Sequence, residues 1–256
     1  MILLRSVVFN LFFFAATFLL TLLGTVVRVV APHLVMPVAR LWGRTIVGGA
    51  RIICHIDLQV SGREHLGGDV ATLIASRHQS AFDTVVWLTL LPRCCYVLKQ
   101  ELMRVPLFGP LIRLAGMIAV DRSGGAAALR SLMQEGERAA REGRQMVIFP
   151  EGTRAEPGAM LPLQPGIAAL AARTGLPVVP VVTDSGLYWS RRAFRKRPGT
   201  IHIRILPPIP TGIGRKSLMQ RLEVAMRSDV VPGMGLVENS VGETAGGLLP
   251  HSNESQ

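Results

Sequence analysis

With 256 residues, 49% of them apolar and only 5% aromatic, and a formal net charge of +11, the chain can bury one substantial core and favours an anionic partner. No basic and aromatic side chains interleave as a base-stacking platform needs, so the charge points to an anionic membrane surface and not to nucleic acid. Three cysteines, Cys54, Cys94 and Cys95, form neither a disulfide framework nor a metal-binding spacing, and read as reduced, buried thiols of a cytosolic compartment.

The first element is the apolar run Val7 to Val27, broken only by Asn10, Thr17, Thr21, Gly24 and Thr25, which is long enough to cross or enter a bilayer. No small-residue cleavage site follows it, which argues against a signal peptide. Arg28, Arg40, Arg44 and Arg51 outnumber the N-terminal amine and Arg5, so the positive-inside rule places the following domain on the cytoplasmic face of an inner membrane of bacterial type. A second run, Val29 to Trp42, contains Pro32, His33 and Pro37, and is expected to lie in the interface or pack on the first. Whether the pair spans the bilayer or enters one leaflet stays open.

From about Ile52 the pattern changes. Ile56 to Val60, Ala71 to Ala75, Tyr96 to Leu98, Met117 to Val120, Met146 to Phe149, Val178 to Val182 and Ile201 to Leu206 read as strands. Ala81 to Leu91, Leu107 to Ala115, Ala126 to Glu142, Pro165 to Thr174 and Ser217 to Arg227 read as helices between them. Gly143 is a C-cap, and Ser217 with Gln220 a capping box. This alternation predicts an α/β fold: a central, mainly parallel or mixed sheet flanked by helices, with an N-terminal membrane-associated helical segment. The division is anchoring helices over 1–50, a catalytic domain over 51–231, and a polar, Gly-rich tail over 232–256 that is expected to be disordered.

Directly after the apolar run ending at Ala75 comes a polar island, Ser76 to Asp83. Histidine is the one side chain that titrates near neutrality unaided, and a carboxylate can fix its tautomer and raise its basicity, so a histidine and aspartate pair such as His78 and Asp83 makes a general base. Five residues of continuous helix would turn the two about 140° apart, so a contact requires His78 in a loop and a helix starting near Ser80. Ser80 would then cap the helix by accepting from the Asp83 amide. The same residues also read as a capping box beside an ordinary loop histidine, and the octapeptide alone leaves both readings open.

Other charged residues fall at matching places. Lys99, Arg122 and the pair Glu151 and Arg154 each sit just past the carboxyl end of an expected strand, as His78 does. Open α/β sheets gather their ligand sites along that edge, provided the strands run parallel. Taken alone, Lys99 reads as a solvated strand end and Asp121 to Arg122 as a surface turn. In Phe149 to Arg154, Gly152 lets the backbone approach a ligand, its amide and that of Thr153 can donate to an anion, and Arg154 can clamp a phosphate through two parallel hydrogen bonds.

These stretches together resemble the glycerolipid acyltransferases, and specifically the 1-acyl-sn-glycerol-3-phosphate acyltransferases. His78 and Asp83 match the family's His, four residues, Asp motif; Gly116 to Arg122, Phe149 to Arg154 and Val178 to Val181 match its later blocks in order, and Lys99, Pro106, Phe108 and Gly109 agree with the segment between the first two. Arg77 departs from the asparagine many members carry there.

The resemblance implies acyl transfer from a thioester, acyl-CoA or acyl carrier protein, to the 2-hydroxyl of lysophosphatidic acid, forming phosphatidic acid with no cofactor or metal. His78 would act as base and Asp83 would orient it; Lys99, Arg122 and Arg154 would hold the phosphate; Glu151 and Gly152 would position the acceptor's glycerol part, and Thr153 would bind substrate beside them. The same motifs would serve a lyso-ornithine-lipid O-acyltransferase, and a membrane-anchored lipid-binding protein is the non-enzymatic rival. The cluster Arg191, Arg192, Arg195, Lys196, Arg197 reads as a headgroup contact or a solvated loop.

Overall fold

The computed structural model describes residues 1–121, 124–191 and 193–227; Arg122, Arg192 and the 232–256 tail lie outside the described residues. The strands are β1 (Ile56–Ser61), β2 (Thr72–Ser76), β3 (Cys94–Lys99), β4 (Ile118–Val120), β5 (Gln145–Ile148), β6 (Val178–Thr183) and β7 (Gly199–Ile205). They form one sheet in the order β1-β7-β6-β2-β5-β3-β4. From β6 to β4 every pairing is parallel. β7 turns antiparallel on β6, and β1 runs parallel to β7, so the sheet is mixed with a parallel centre. Each expected strand is present, and those expected to carry site residues at their carboxyl ends do run the same way.

All five residues of β2 are buried, as a central strand covered on both faces must be. Alternate side chains supply two cores. Ile74, Val147, Val179 and Val181 point to the face covered by α1 (Ile2–Val30), α2 (Val35–Cys54) and α3 (Asp83–Leu90). Leu73, Ala75, Met146 and Ile148 point to the face covered by α5 (Gly125–Arg141), α6 (Gly166–Thr174) and α8 (Arg215–Arg227). The remaining helices, α4 (Phe108–Leu114) and the single turn α7 (Ser185–Tyr188), border the site described below.

The second run packs on the first, as expected, and differs only in its bounds. The second run does not form its own element from Val29; α1 continues to Val30, a 3₁₀ turn over Pro32–Leu34 reverses the chain, and α2 runs on to Cys54, past the division expected at residue 50. The reason lies in the prolines. Pro32 opens the 3₁₀ turn and Pro37 falls in the first turn of α2, where a missing N–H costs no helical hydrogen bond.

α1 has 29 residues and is long and apolar enough to cross a membrane. It leaves an apolar face exposed that includes Leu11, Phe18, Leu19 and Val29, which marks the chain as membrane-associated. Its other face is held by the domain. Ser6 accepts from the Lys196 amide, Asn10 accepts from the Lys196 ammonium at 3.0 Å, Phe9 meets Trp189 edge-on at 5.1 Å, and Thr17 accepts from the Trp42 indole. Lys196 is therefore buried, over the Trp189 ring at 5.3 Å, and burial lowers its pKa from the ordinary lysine value. Of the expected basic surface cluster, Lys196 turns inward to fasten the loop to α1, while Arg191, Arg195 and Arg197 stay exposed.

Helices α1 and α2 cross closely at Gly49, where an added Cβ would lie 2.1 Å from the Phe12 ring. Replacing Gly49 with Val is expected to cost about 2 kcal/mol through overpacking. Thermal unfolding in detergent should show it as a midpoint roughly 4–8 °C lower.

Candidate active site

The parallel centre of the sheet brings the ends of β2, β5 and β6 to one edge, and the loops leaving them interlock around His78. The loop after β2 is pinned to β6 where the Arg77 amide donates to the Val181 carbonyl at 2.9 Å. One residue on, both backbone polar groups of His78 are taken by the loop after β5. Its N–H donates to Glu151 Oε2 at 2.7 Å, and its carbonyl accepts from the Ala155 amide at 2.7 Å. The imidazole stacks on Phe149, with centroids 4.1 Å apart and planes 21° apart.

Asp83 closes the arrangement. Its Oδ2 accepts from the Gln79 amide at 2.7 Å and the Ser80 amide at 2.8 Å, and lies 3.2 Å from His78 Nδ1. The carboxylate thus holds Nδ1 as the protonated nitrogen and leaves Nε2 with the lone pair. The two open readings of the octapeptide resolve in favour of contact. The helix starts later than expected, however: α3 begins at Asp83 and not near Ser80, and the Ser80 hydroxyl accepts from the Phe82 amide instead of from Asp83. The cause is the carboxylate itself, which folds back over the loop and draws in the amides that precede it.

A cavity of about 590 Å³ opens on His78. His78, Lys99, Gly152, Thr153 and Arg154 line it, together with an apolar wall that includes Leu20, Gly24, Val38, Leu88, Leu111 and Met117. Its mouth is thus cationic and its depth apolar, the lining an amphiphile with an anionic head requires. Arg154 is half-buried, and its Nε is buried without a protein acceptor. Burial lowers its pKa from the ordinary guanidinium value, while the Asp83 charge raises it and neighbouring Arg191 lowers it. Lys99 is exposed at the rim, 3.9 Å from Glu101.

Glu151 is placed differently from the expectation. Its carboxylate is buried and does not line the cavity; it holds the His78 amide and lies 3.5 Å from the guanidinium of Arg77, itself buried and bonded to the Ala159 carbonyl. Burial pushes the Glu151 carboxyl up from its ordinary value, against the amide of His78 and the charge of Arg77, which lower it. The departure at Arg77 therefore has a structural partner. A strand-end acid after an apolar run shows no sign in the sequence of which way it points.

The cysteines offer no rival nucleophile. Cys54, Cys94 and Cys95 are buried and unbridged, and burial raises all three thiols, Cys95 to about 11.

A histidine facing a cavity lined by a guanidinium and an apolar wall, with no activated side-chain nucleophile among the described residues, fits a transferase or hydrolase that activates a substrate hydroxyl or water. Residues 57–184 match the model of the family described as Acyltransferase. The chain is 35% identical over 208 residues to a 1-acyl-sn-glycerol-3-phosphate acyltransferase of Pseudomonas aeruginosa, covering 79% of each. It is 32% identical over 158 residues to a human 1-acyl-sn-glycerol-3-phosphate acyltransferase alpha, covering 61% of this chain and 56% of that one. A crystal structure of the 1-acyl-sn-glycerophosphate acyltransferase PlsC from Thermotoga maritima shares the fold, with a TM-score of 0.70, 22% identity, and coverage of 90% of this chain and 97% of that one. The chain belongs to the acyltransferase family, and the resemblance read from its motifs is confirmed.

Arg77→Ala would leave the Glu151 charge buried without its cation, and is expected to cost about 3–5 kcal/mol. The pH dependence follows from the sign of the shift. Glu151 binds its proton more tightly folded than unfolded, so the variant should lose stability as pH rises from the ordinary carboxyl value of 4.5 through the raised folded one. Denaturation midpoints measured from pH 4.5 upward check both.

Proposed function

We propose that the protein transfers a fatty acyl group from an acyl thioester to the 2-hydroxyl of 1-acyl-sn-glycerol-3-phosphate, forming phosphatidic acid. The observation that carries the reading is the placement of His78 at the junction between a cationic mouth and an apolar hollow. Its Nε2 removes the proton from the acceptor hydroxyl as that oxygen attacks the thioester carbonyl. The C–O bond forms, the C–S bond breaks, and His78 returns the proton to the departing thiolate. A thioester is already activated, so two bound substrates in register suffice and no covalent enzyme intermediate or cofactor is required.

Arg154 takes the acceptor phosphate. Its buried, unpartnered Nε supports that role, since an anion there would supply the missing acceptor. Lys99 and the turn at Gly152 and Thr153 border the site, the Gly152 amide itself donating to the Phe149 carbonyl at 3.0 Å. Gly152 has φ +71°, a conformation open to glycine, so the chain can turn tightly beside the ligand. The apolar wall receives acyl chain, and the exposed face of α1 keeps the mouth at the lipid surface where acceptor and product both reside. The excess of arginines after the first helix supports a catalytic domain on the cytoplasmic face, within reach of acyl-CoA or acyl carrier protein.

Purified protein in mixed micelles, offered lysophosphatidate or lyso-ornithine lipid with either donor, tests the reading. Turnover is expected with lysophosphatidate; turnover confined to the phosphate-free acceptor would contradict it. His78→Ala should lower kcat by at least about 10³-fold with an unchanged unfolding midpoint. Arg154→Ala should chiefly raise the KM for lysophosphatidate, about 10-fold or more.

A further inference from the structure

The carboxylate of Asp83 has two oxygens, and the His78 loop occupies one of them. Oδ2 faces the imidazole and two loop amides; Oδ1 accepts a hydrogen bond of 2.6 Å from the hydroxyl of Ser185. Ser185 is 102 residues away in sequence and fully buried. It opens α7, the single turn leaving β6, so β6 also contributes to the edge where the loops after β2 and β5 meet.

The same turn grips the His78 loop a second time. The Gly186 amide donates to Gln79 Oε1 at 3.1 Å, and an added Cβ at Gly186 would lie 2.9 Å from Gln79 Cβ, so the two backbones are in close approach. The turn has its own anchor behind it. Asp184 accepts from the His202 amide at 2.7 Å and pairs with the His202 ring at 2.8 Å, and the Ser185 amide donates to Thr183 Oγ1. Ser185 is thus fixed to β7 on one side and presents its hydroxyl to Asp83 on the other.

We propose that Ser185 is a positioning residue for acyl transfer: by donating to Asp83 Oδ1 it fixes the plane of that carboxylate, and through it the direction in which His78 Nε2 points. The inference rests on the acyl-transfer reading above. A carboxylate held only through Oδ2 can pivot about that oxygen, and a pivot of the acceptor carries the imidazole with it. Ser185 touches neither substrate nor the reacting atoms, so its loss should slow the chemical step and leave substrate binding alone. A serine that merely fills space would behave otherwise, because Ala fills nearly the same volume.

Ser185→Ala and Ser185→Cys, assayed beside the wild type with lysophosphatidate and acyl-CoA or acyl carrier protein, test the proposal. The expected result for Ala is a kcat lower by about 10- to 100-fold, with both KM values within about two-fold of wild type. Cys keeps a weak donor, so its loss should be smaller than that of Ala. Hydrogen exchange supplies a readout independent of turnover: the Gln79 and Ser80 amides should lose protection in Ser185→Ala, while those of β7 keep theirs. A kcat for Ala within two-fold of wild type overturns the proposal. So do equal losses in Ala and Cys accompanied by rising KM and a lower unfolding midpoint. If Ala does not fold, Cys decides alone, a kcat at least about three-fold lower at constant KM supporting the clamp and an unchanged one overturning it. A wild type inactive toward lysophosphatidate with both donors removes the acyl-transfer reading instead, and unchanged exchange at Gln79 and Ser80 then overturns the clamp separately.

Discussion

The site depends on how completely one histidine is immobilised. The backbone N–H and carbonyl of His78 are both occupied by the loop that follows β5, one ring face lies on Phe149, and Nδ1 is held by Asp83. Only Nε2 and the other ring face are left to the cavity. Such restraint removes the reorganisation a mobile base would need before each proton transfer, and preorganisation of this kind supplies much of the rate in acid–base catalysis.

The restraint is tertiary, which explains why the sheet has the order it has. β2 lies between β5 and β6, so the loop bearing His78 has one neighbour on each side. The loop after β5 supplies Glu151, Arg154 and the Ala155 amide, and the turn after β6 supplies Ser185 and Gly186. Reversal begins only at β7, beyond the last strand whose carboxyl end contributes to the site. The buried pair Arg77 and Glu151 sits under this junction, where replacing either partner alone would strand a charge. The cavity then joins the junction to α1, so one helix both lines the apolar hollow and faces lipid.

Much of this was legible in the sequence because it is written locally. Short β-rich runs mark every strand, and the spacing of His78 and Asp83 together with the Phe149 to Arg154 block marks the family. What escaped reading is written in packing. Glu151 reads as a ligand because it follows a strand end, yet the His78 amide and Arg77 hold its carboxylate, and no motif pairs those residues with it. Ser185 carries no motif, and its role depends on β6 lying beside β2. The second apolar run was misplaced because Pro32 and Pro37 look like interruptions, whereas one opens the turn and the other begins a helix. Lys196 was read with four arginines as surface charge, but Ser6, Asn10 and Trp189 draw it inward.

The central claim is that Asp83 holds the His78 ring with its proton on Nδ1, so that Nε2 faces the cavity as an acceptor. Nitrogen-15 spectra of histidine-labelled protein in micelles measure this directly, with His78→Ala assigning the signal. In the neutral ring the protonated nitrogen is expected to be Nδ1. A ring protonated on Nε2, or one exchanging freely between the two tautomers, would contradict it.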